Sequence, residues 1–343
     1  MYLTRRNINM IRMRFFIMII ILASFSACNK DLSDDFRQYP NNAMNDTSWS
    51  ANISSNAALN GILDSTLPSM MIDSINLNTA DTIRFANNVE LSFPANAVNN
   101  PTGYTISGKI KVEMLPLLKK GDIIRALQST TSNGALLEIF GQVFIKLSNN
   151  GRELILAPSK SIKIRIPDTQ DNPLPAMIVF KGRESTPPPP WGKDTSATWL
   201  RSNDGSTIGT WYKTGSGPNM KGYEFTTQNL RWVSGGKFAD STVPKNKLTV
   251  ILPPNFTIKN TVAFAVIENS KTIVELKANY ASRSFEANNI PLQKKLTIIT
   301  LTKIGRDFYY GNRSINDIGN IAIYNVSPEK RSLKSILSEL DKL

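Results

Sequence analysis

The residues that decide the fold are 135–156, ALLEIFGQVFIKLSNNGRELIL. Apolar side chains stand at every second position from Val143 to Leu147, and they return after a turn at Leu154 and Leu156. The turn is Asn-Asn-Gly, and its Asn-Gly step is typical of tight β-hairpins because both residues accept a left-handed backbone. Alternation on both sides of such a turn predicts two antiparallel strands that each bury one face.

The same alternation continues along the chain in both directions. Residues 83–93 and 104–114 carry it before the hairpin, and residues 162–166 carry it afterwards. Apolar runs at 248–252 and 296–301 have the length of buried strands. Short strands separated by turn signals every ten residues or so predict an all-β protein with two β-sandwich domains.

Local signals mark a helix and the domain boundaries. Ser327 followed by Pro328 is typical of a helix start, and the leucines after it share one helical face, which predicts a short C-terminal helix. Gly235–Gly236 and residues 305–307 are interpreted as turns. The predicted division is a signal peptide at 1–27, a tether at 28–68, a first β-sandwich at 69–185, a Pro/Trp-rich connecting segment at 186–222, and a second β-sandwich with the helix at 223–343.

The first 27 residues have the composition of an export signal. Residues 1–14 contain four arginines and no acid, residues 15–23 are apolar, and small residues precede Cys28. A bilayer span needs about 20 apolar residues, so this run predicts a signal peptide and not a retained transmembrane helix. Residues 29–67, rich in Asn, Ser and Asp, predict a flexible tether.

Residues 25–28, Phe-Ser-Ala-Cys, resemble a bacterial lipobox, with Phe25 where leucine is usual. The resemblance implies that the thiol of Cys28 receives a diacylglyceryl group carrying palmitate-type chains and that Cys28 becomes the mature N-terminus. It implies an outer-membrane lipoprotein that faces the periplasm or the cell surface. Cleavage near Ser26 by an ordinary signal peptidase is the alternative.

Composition limits the chemistry. The chain has no histidine and one cysteine, which removes the commonest general base and any internal disulfide. The formal net charge is +13; without the four leader arginines it is about +9. The basic residues alternate with apolar ones, as at Lys163 and Arg165, which is typical of a solvated sheet face, so we expect no nucleic-acid partner.

No phosphate loop, zinc spacing or calcium-loop pattern is present in the sequence, so we expect no cofactor, no metal and no catalysis. Asp194, Asn203 and Asp204 offer oxygen atoms for calcium, but an ordinary polar loop is the favoured interpretation.

Three tryptophans are the most specific candidates for a ligand-binding site. Trp191, Trp199 and Trp211 fall in a segment rich in Gly, Ser and Asp. Exposed rings there would stack on sugars or form a protein contact. Packing between the two β domains is the alternative, and it is the favoured one.

Two family resemblances concern the fold. Residues 89–97, VELSFPANA, and 108–113, GKIKVE, resemble the β-sandwich domain shared by ankyrins, the zonula occludens protein and netrin receptors, which implies protein contacts. Residues 93–97, 130–138 and 232–238 are similar to a group of Bacteroidetes-type outer-membrane lipoproteins. Members of that group often carry Asn-Cys-Asp where this chain has Ser-Gly-Gly after Val233.

We therefore expect a cell-envelope lipoprotein with a structural or binding role, attached to the membrane through its lipid and with a protein or glycan partner. The alternative is a glycan-binding surface component of a polysaccharide uptake system. An enzyme is not expected.

Overall fold

The computed structural model describes residues 46–50, 57–85, 88–168, 175–183, 198–214 and 219–343. The chain divides into two compact units, Met1–Asp46 and Thr47–Leu343. Only Asp46 of the first unit lies in the described part, so the fold below is that of the second. Strands make up 52% and helices 9%, which confirms the all-β prediction.

The first sandwich is built from fifteen strands of the described residues. In chain order they are β1 (Met71–Asn76), β2 (Asp81–Arg84), β3 (Glu90–Phe93), β4 (Val98–Asn99), β5 (Lys109–Leu117), β6 (Thr131–Ser132), β7 (Ala135–Asn149), β8 (Arg152–Glu153), β9 (Ile155–Leu156), β10 (Ile162–Pro167), β11 (Ile178–Arg183), β12 (Thr198–Arg201), β13 (Thr207–Lys213), β14 (Met220–Thr227) and β15 (Arg231–Phe238).

Two sheets of this sandwich face each other. Sheet A has the order β1-β5-β7-β15-β11-β12, with β6 and β8 beside β7, and sheet B has the order β13-β14-β10-β3-β2. Strands β4 and β9 form a separate pair. The inward side chains of sheets A and B belong to one buried cluster, which includes Val112 and Ile145 of sheet A and Leu91 and Phe225 of sheet B. The cluster forms because alternate residues of each strand point to the same face.

The second sandwich follows with nine described strands and uses two further sheets. They are β16 (Lys245–Ile251), β17 (Thr261–Ile267), β18 (Ile273–Glu275), β19 (Lys277–Asn279), β20 (Ser284–Pro291), β21 (Leu296–Ile304), β22 (Asp307–Ile315), β23 (Ile323–Asn325) and β24 (Glu329–Arg331). Sheet E has the order β19-β20-β16-β23, and sheet F has the order β18-β17-β21-β22-β24. Leu248, Phe285 and Ile298 are among the residues buried between them.

The described residues contain three helices: α1 (Ala58–Thr66), α2 (Lys120–Arg125) and α3 (Leu333–Leu340). The predicted C-terminal helix is α3, but it begins at Leu333, where Ser332 accepts a hydrogen bond from the Ser335 amide at 3.2 Å. The predicted start at Ser327 is wrong because Glu329–Arg331 pairs with β22 as an edge strand. No helix of the described residues is long and apolar enough to cross a membrane.

The strand pairing refines the predicted boundaries. Strands β14 and β15 pair with β10 and β7, so the first sandwich extends beyond residue 222 to Phe238. Part of the predicted connecting segment forms the edge strands β12 and β13. Within the predicted tether, α1 packs against β21 and buries Ile62 and Leu63. Burial of an apolar helix face explains why these residues do not belong to a solvated linker.

Of two predicted turns that contain glycine, the structure has one and lacks the other. At the quoted hairpin, Asn150 and Gly151 both have positive φ, at 49° and 77°, as the predicted turn requires. Gly235–Gly236 is not a turn: both residues lie inside β15, where the register with β7 shifts in a β-bulge. A Cβ on Gly235 would stand 2.3 Å from Phe140 Cε1, so close packing explains this glycine.

Candidate functional site

A third apolar layer joins the two sandwiches. The face of sheet A that points away from its own core contributes Phe144 and Trp232, and sheet F contributes Phe264 and Ile299. The helices fill the space between with buried aliphatic side chains, including Ile62 of α1, Ile123 and Ile124 of α2, and Ile336 and Leu340 of α3. We call this layer the seam. Because one cluster contains residues of both sandwiches, we expect the sandwiches to unfold together.

Trp199 lies inside the seam and has no exposed surface. Its indole Nε1 donates to the carbonyl oxygen of Ser129 at 2.8 Å, and its ring meets Trp232 edge-on at 6.4 Å. The Gln142 side chain donates to the same carbonyl at 2.9 Å. Trp199 therefore does not present its ring to a ligand; it packs between the two sandwiches, which is the alternative that the sequence favours, and its indole donor already has a partner.

Trp211 is also buried, although it lies on the edge strand β13. Only 7% of its surface is exposed, and the guanidinium carbon of Arg165 lies 5.6 Å from its ring centroid. Trp211 stands opposite Gly222 in the register, which leaves room for the ring beside the sheet. Trp211 therefore offers no exposed ring to a ligand either. Trp191 and Cys28 lie outside the described residues.

A cleft opens at the seam beside residues 130–134, one of the segments that resemble envelope lipoproteins. We call it the polar cleft; its volume is about 420 Å³. The Asn289 side chain spans from the second sandwich and donates to the carbonyl of Gly134 at 3.2 Å. Other hydroxyl and amide groups of its lining come from Ser129, Thr131, Thr198 and Asn288.

Two carboxyl groups of the polar cleft are held in different environments. Burial raises the pKa of Glu275, while its ion pair with Lys277 opposes this shift. Burial also tends to raise the pKa of Glu286, but hydrogen bonds from Lys247 at 2.7 Å and Asn279 at 3.0 Å keep this pKa below its usual value. Oppositely shifted carboxyls can serve acid–base chemistry. In the polar cleft each carboxyl group is paired with a lysine, so the two groups are better suited to hydrogen bonding with a ligand than to proton transfer.

A second cleft of about 550 Å³ lies elsewhere along the seam, and Lys120 and Lys271 line it. Lys120 Nζ of α2 donates to the Ile267 carbonyl of β17 at 2.9 Å. Lys271 Nζ donates back to the Phe140 carbonyl of β7 at 2.7 Å. Burial lowers the pKa of both ammonium groups. The two lysines therefore connect the sandwiches with reciprocal hydrogen bonds.

Asp204 closes a turn, and both of its carboxylate oxygens accept hydrogen bonds there. Its Oδ1 accepts from the hydroxyls of Ser202 at 2.8 Å and Ser206 at 2.5 Å, and its Oδ2 accepts from Asn229 Nδ2 at 2.6 Å. Although burial opposes the shift, these bonds lower the pKa of Asp204 to about 2. Asn203 is exposed, and Asp194 lies outside the described residues. In the described ranges no group of three or more His, Cys, Asp or Glu is placed to hold a metal.

No family model, curated protein or solved structure matches this chain. The resemblance to envelope lipoproteins and to ankyrin-type domains therefore stays a prediction from the quoted residues. The residues that line the polar cleft were not predicted as a site from the sequence. The sequence signal nearest to the polar cleft is the Thr-Thr-Ser-Asn-Gly turn, which by itself indicates a turn and not a binding site.

Proposed function

We propose that this chain is a cell-envelope lipoprotein that is anchored to the outer membrane through Cys28 and carries a non-catalytic β module with a structural or binding role. The observation that carries the proposal is the position of the only cysteine, directly after a basic, apolar and small-residue leader. A buried structural cysteine has no reason to fall at that point. The missing histidine supports the non-catalytic part of the proposal.

The distance between anchor and body is limited by the chain. Eighteen residues separate Cys28 from Thr47, the first residue of the second unit. Fully extended, they reach about 60 Å, so the proposed anchor keeps the body close to the bilayer. Stable anchoring needs more than one acyl chain because a single chain binds only marginally, and the diacylglyceryl group of a lipoprotein supplies two.

The membrane attachment is tested by labelling cells with an alkyne analogue of palmitate. The full chain is produced in a Gram-negative host beside a Cys28→Ser variant. We expect label and membrane recovery for the parent chain, and an unlabelled product in the soluble fraction for the variant. Equal membrane recovery of both chains, without label in either, would contradict a lipid anchor.

The polar cleft is the surface that best suits a ligand of the binding role. Its hydroxyl and amide groups match a ligand rich in hydroxyls, which keeps a glycan as the alternative partner. This alternative no longer depends on Trp199 or Trp211. It predicts that the soluble Cys28→Ser chain binds members of a glycan array and that Asn288→Ala weakens this binding.

Asn203→Ala is the matched control, because Asn203 is exposed on the other sandwich and does not line the polar cleft. Binding that is equally weakened by both substitutions would contradict a site in the cleft. A blank array would count against the glycan and leave the structural role.

A further inference from the structure

One run of chain forms an edge of both sheets of the second sandwich. Within the described residues, β18 ends sheet F, β19 ends sheet E, and only Leu276 separates the two strands. At about 3.3 Å a residue, residues 273–279 span about 20 Å. The polar cleft follows this run and is lined there by Val274, Glu275, Lys277 and Ala278. A sheet edge is therefore one wall of the polar cleft.

The first residue of this edge is already paired across the seam. The carbonyl oxygen of Ile273 accepts from the Thr130 amide at 2.8 Å, and the amide of Ile273 donates to the Thr130 hydroxyl at 2.8 Å. Thr130 belongs to the first sandwich, directly before β6. It contacts β18 as a neighbouring strand would, but over a single residue.

The next residue that faces outward along this edge is Glu275, whose peptide groups have no partner among the described residues. Leu276 donates to the Ala263 carbonyl at 2.8 Å, and this register makes Val274, not Glu275, bond to β17. Glu275 lies two residues after Ile273, so its N–H and C=O point to the side on which Ile273 meets Thr130. Glu275 thus presents one backbone donor and one backbone acceptor to the polar cleft.

The opposite wall of the polar cleft restricts what can pair with Glu275. Thr131, Gly134 and Thr198 of the first sandwich line it, and the cleft volume is about 420 Å³. The edge is therefore recessed: a short extended segment fits beside it, whereas the edge of another sheet meets the opposite wall first. This arrangement protects the edge against sheet-to-sheet association and leaves it open to a single chain.

We infer that the polar cleft binds an extended peptide segment of a partner protein, which adds a strand to β18 at Glu275. The inference rests on the proposed binding role and chooses a protein over a glycan as the partner. A donor and an acceptor on the same side of one residue match the main chain of an extended peptide. In this mode of recognition main-chain hydrogen bonds provide affinity, and the walls of the cleft select alternate side chains.

The test uses the full chain with Cys28→Ser and an array of random peptides of about seven residues, the length that spans the edge. Glu275→Pro removes the outward N–H without breaking a bond to β17, and proline is tolerated at such edge positions. We expect this variant to bind the strongest peptide about tenfold more weakly than the parent. Glu275→Gln, which keeps the N–H, should lose less affinity than Glu275→Pro.

Ile72→Pro is the matched control, because Ile72 also lies on an edge strand, β1, but in the other sandwich. Leu77 donates to the Gly108 carbonyl, and this register turns the Ile72 amide away from β5. The control should leave peptide affinity unchanged. Thermal unfolding of each variant checks that the fold is intact.

N-methylation of the strongest peptide, one residue at a time, gives a second readout that needs only the parent chain. Alternate residues of an added strand face β18, so the loss of binding should alternate along the peptide. Loss without alternation, a blank peptide array, or equal affinity of a folded Glu275→Pro variant would overturn the inference.

A glycan is the other outcome of the test. Glycan binding that is weakened by Asn288→Ala but not by Glu275→Pro would overturn the peptide inference and leave the proposed binding role. Failure of the proposed anchor is seen separately, as missing acylation of Cys28 in a chain whose soluble variant still binds the peptide.

Discussion

Lys120 and Lys271 cross the seam in opposite directions, and each donates to a backbone carbonyl of the other sandwich. The Nζ–O distances are 2.9 Å to Ile267 and 2.7 Å to Phe140. This reciprocal pair complements the apolar layer, since it fixes the edge of the seam while the buried clusters fill its middle. It also places two partly desolvated ammonium groups at one point, which makes the seam sensitive to pH.

Lys271→Met is predicted to lower the free energy of unfolding by about 1–2 kcal/mol at neutral pH. The substitution keeps most of the apolar stem but leaves the Phe140 carbonyl without its donor. Urea denaturation measures the effect. Lys330→Met is the control, because its ion pair with Asp307 is exposed on both sides, with the side chains 63% and 45% accessible, and such pairs contribute little.

The difference between parent and Lys271→Met should grow as the pH rises towards 10.5. The pKa of Lys271 is lowered in the folded state, so between that value and 10.5 the unfolded chain binds more protons. The contribution of Lys271 to the free energy of unfolding therefore rises with pH in that window. A difference that shrinks with rising pH would contradict a buried ammonium at the seam.

Asp204→Ala is predicted to cost about 1–2 kcal/mol at neutral pH, a value reduced for its partial exposure. The pKa of Asp204 is about 2 in the folded state against an ordinary 3.8, so its contribution is present above 3.8 and is lost as the pH falls through 2. Denaturation curves of parent and variant should therefore converge on acidification. Added calcium should stabilise neither protein; selective stabilisation of the parent would restore the calcium interpretation.

Gly222→Ala is predicted to destabilise the first sandwich by about 3 kcal/mol. A Cβ at this position would lie 2.0 Å from the Ile166 carbonyl oxygen on the neighbouring strand, and backbone cannot move aside cheaply. Gly209→Ala is the matched control on β13, because nothing lies within 4 Å of its new Cβ. Similar thermal midpoints for the two variants would show that the pairing of β14 with β10 is incorrect.

Trp199→Phe should cost about 1–2 kcal/mol, because it removes the buried indole donor to Ser129 and some volume. Trp199→Ala should cost about 3–5 kcal/mol through the cavity that it leaves in the seam. Tyr212→Ala, at a 69% exposed position of β13, should stay within about 0.5 kcal/mol of the parent. A fully stable Trp199→Ala chain would mean that the ring is not part of the seam.

Local chemistry explains which parts of the fold were predictable. The Asn150-Gly151 turn and the alternation around Val143 are properties of neighbouring residues, and both were interpreted correctly. The role of Gly235 depends on Phe140 and Ile208, which are distant in sequence, so the glycine pair alone predicts a turn where the structure has a strand.

The sequence favours packing of the tryptophans between the two β domains, but for the same reason it does not show which residues build the seam. Trp199 lies between a proline run and a Gly- and Ser-rich stretch, which predicts a loop, and only the pairing of β12 with β11 places the ring beside Trp232. The polar cleft likewise needs Asn289 from one sandwich and Gly134 from the other. Alternation indicates which face of a strand is buried, but it does not indicate which sheet covers that face.

The proposed anchor is tested most directly by the intact mass of the mature chain purified from membranes. Our account predicts an N-terminus at Cys28 that carries a diacylglyceryl group, with or without a further amide-linked chain. A mature chain that begins at another residue, with Cys28 absent or present as a free thiol, would contradict it.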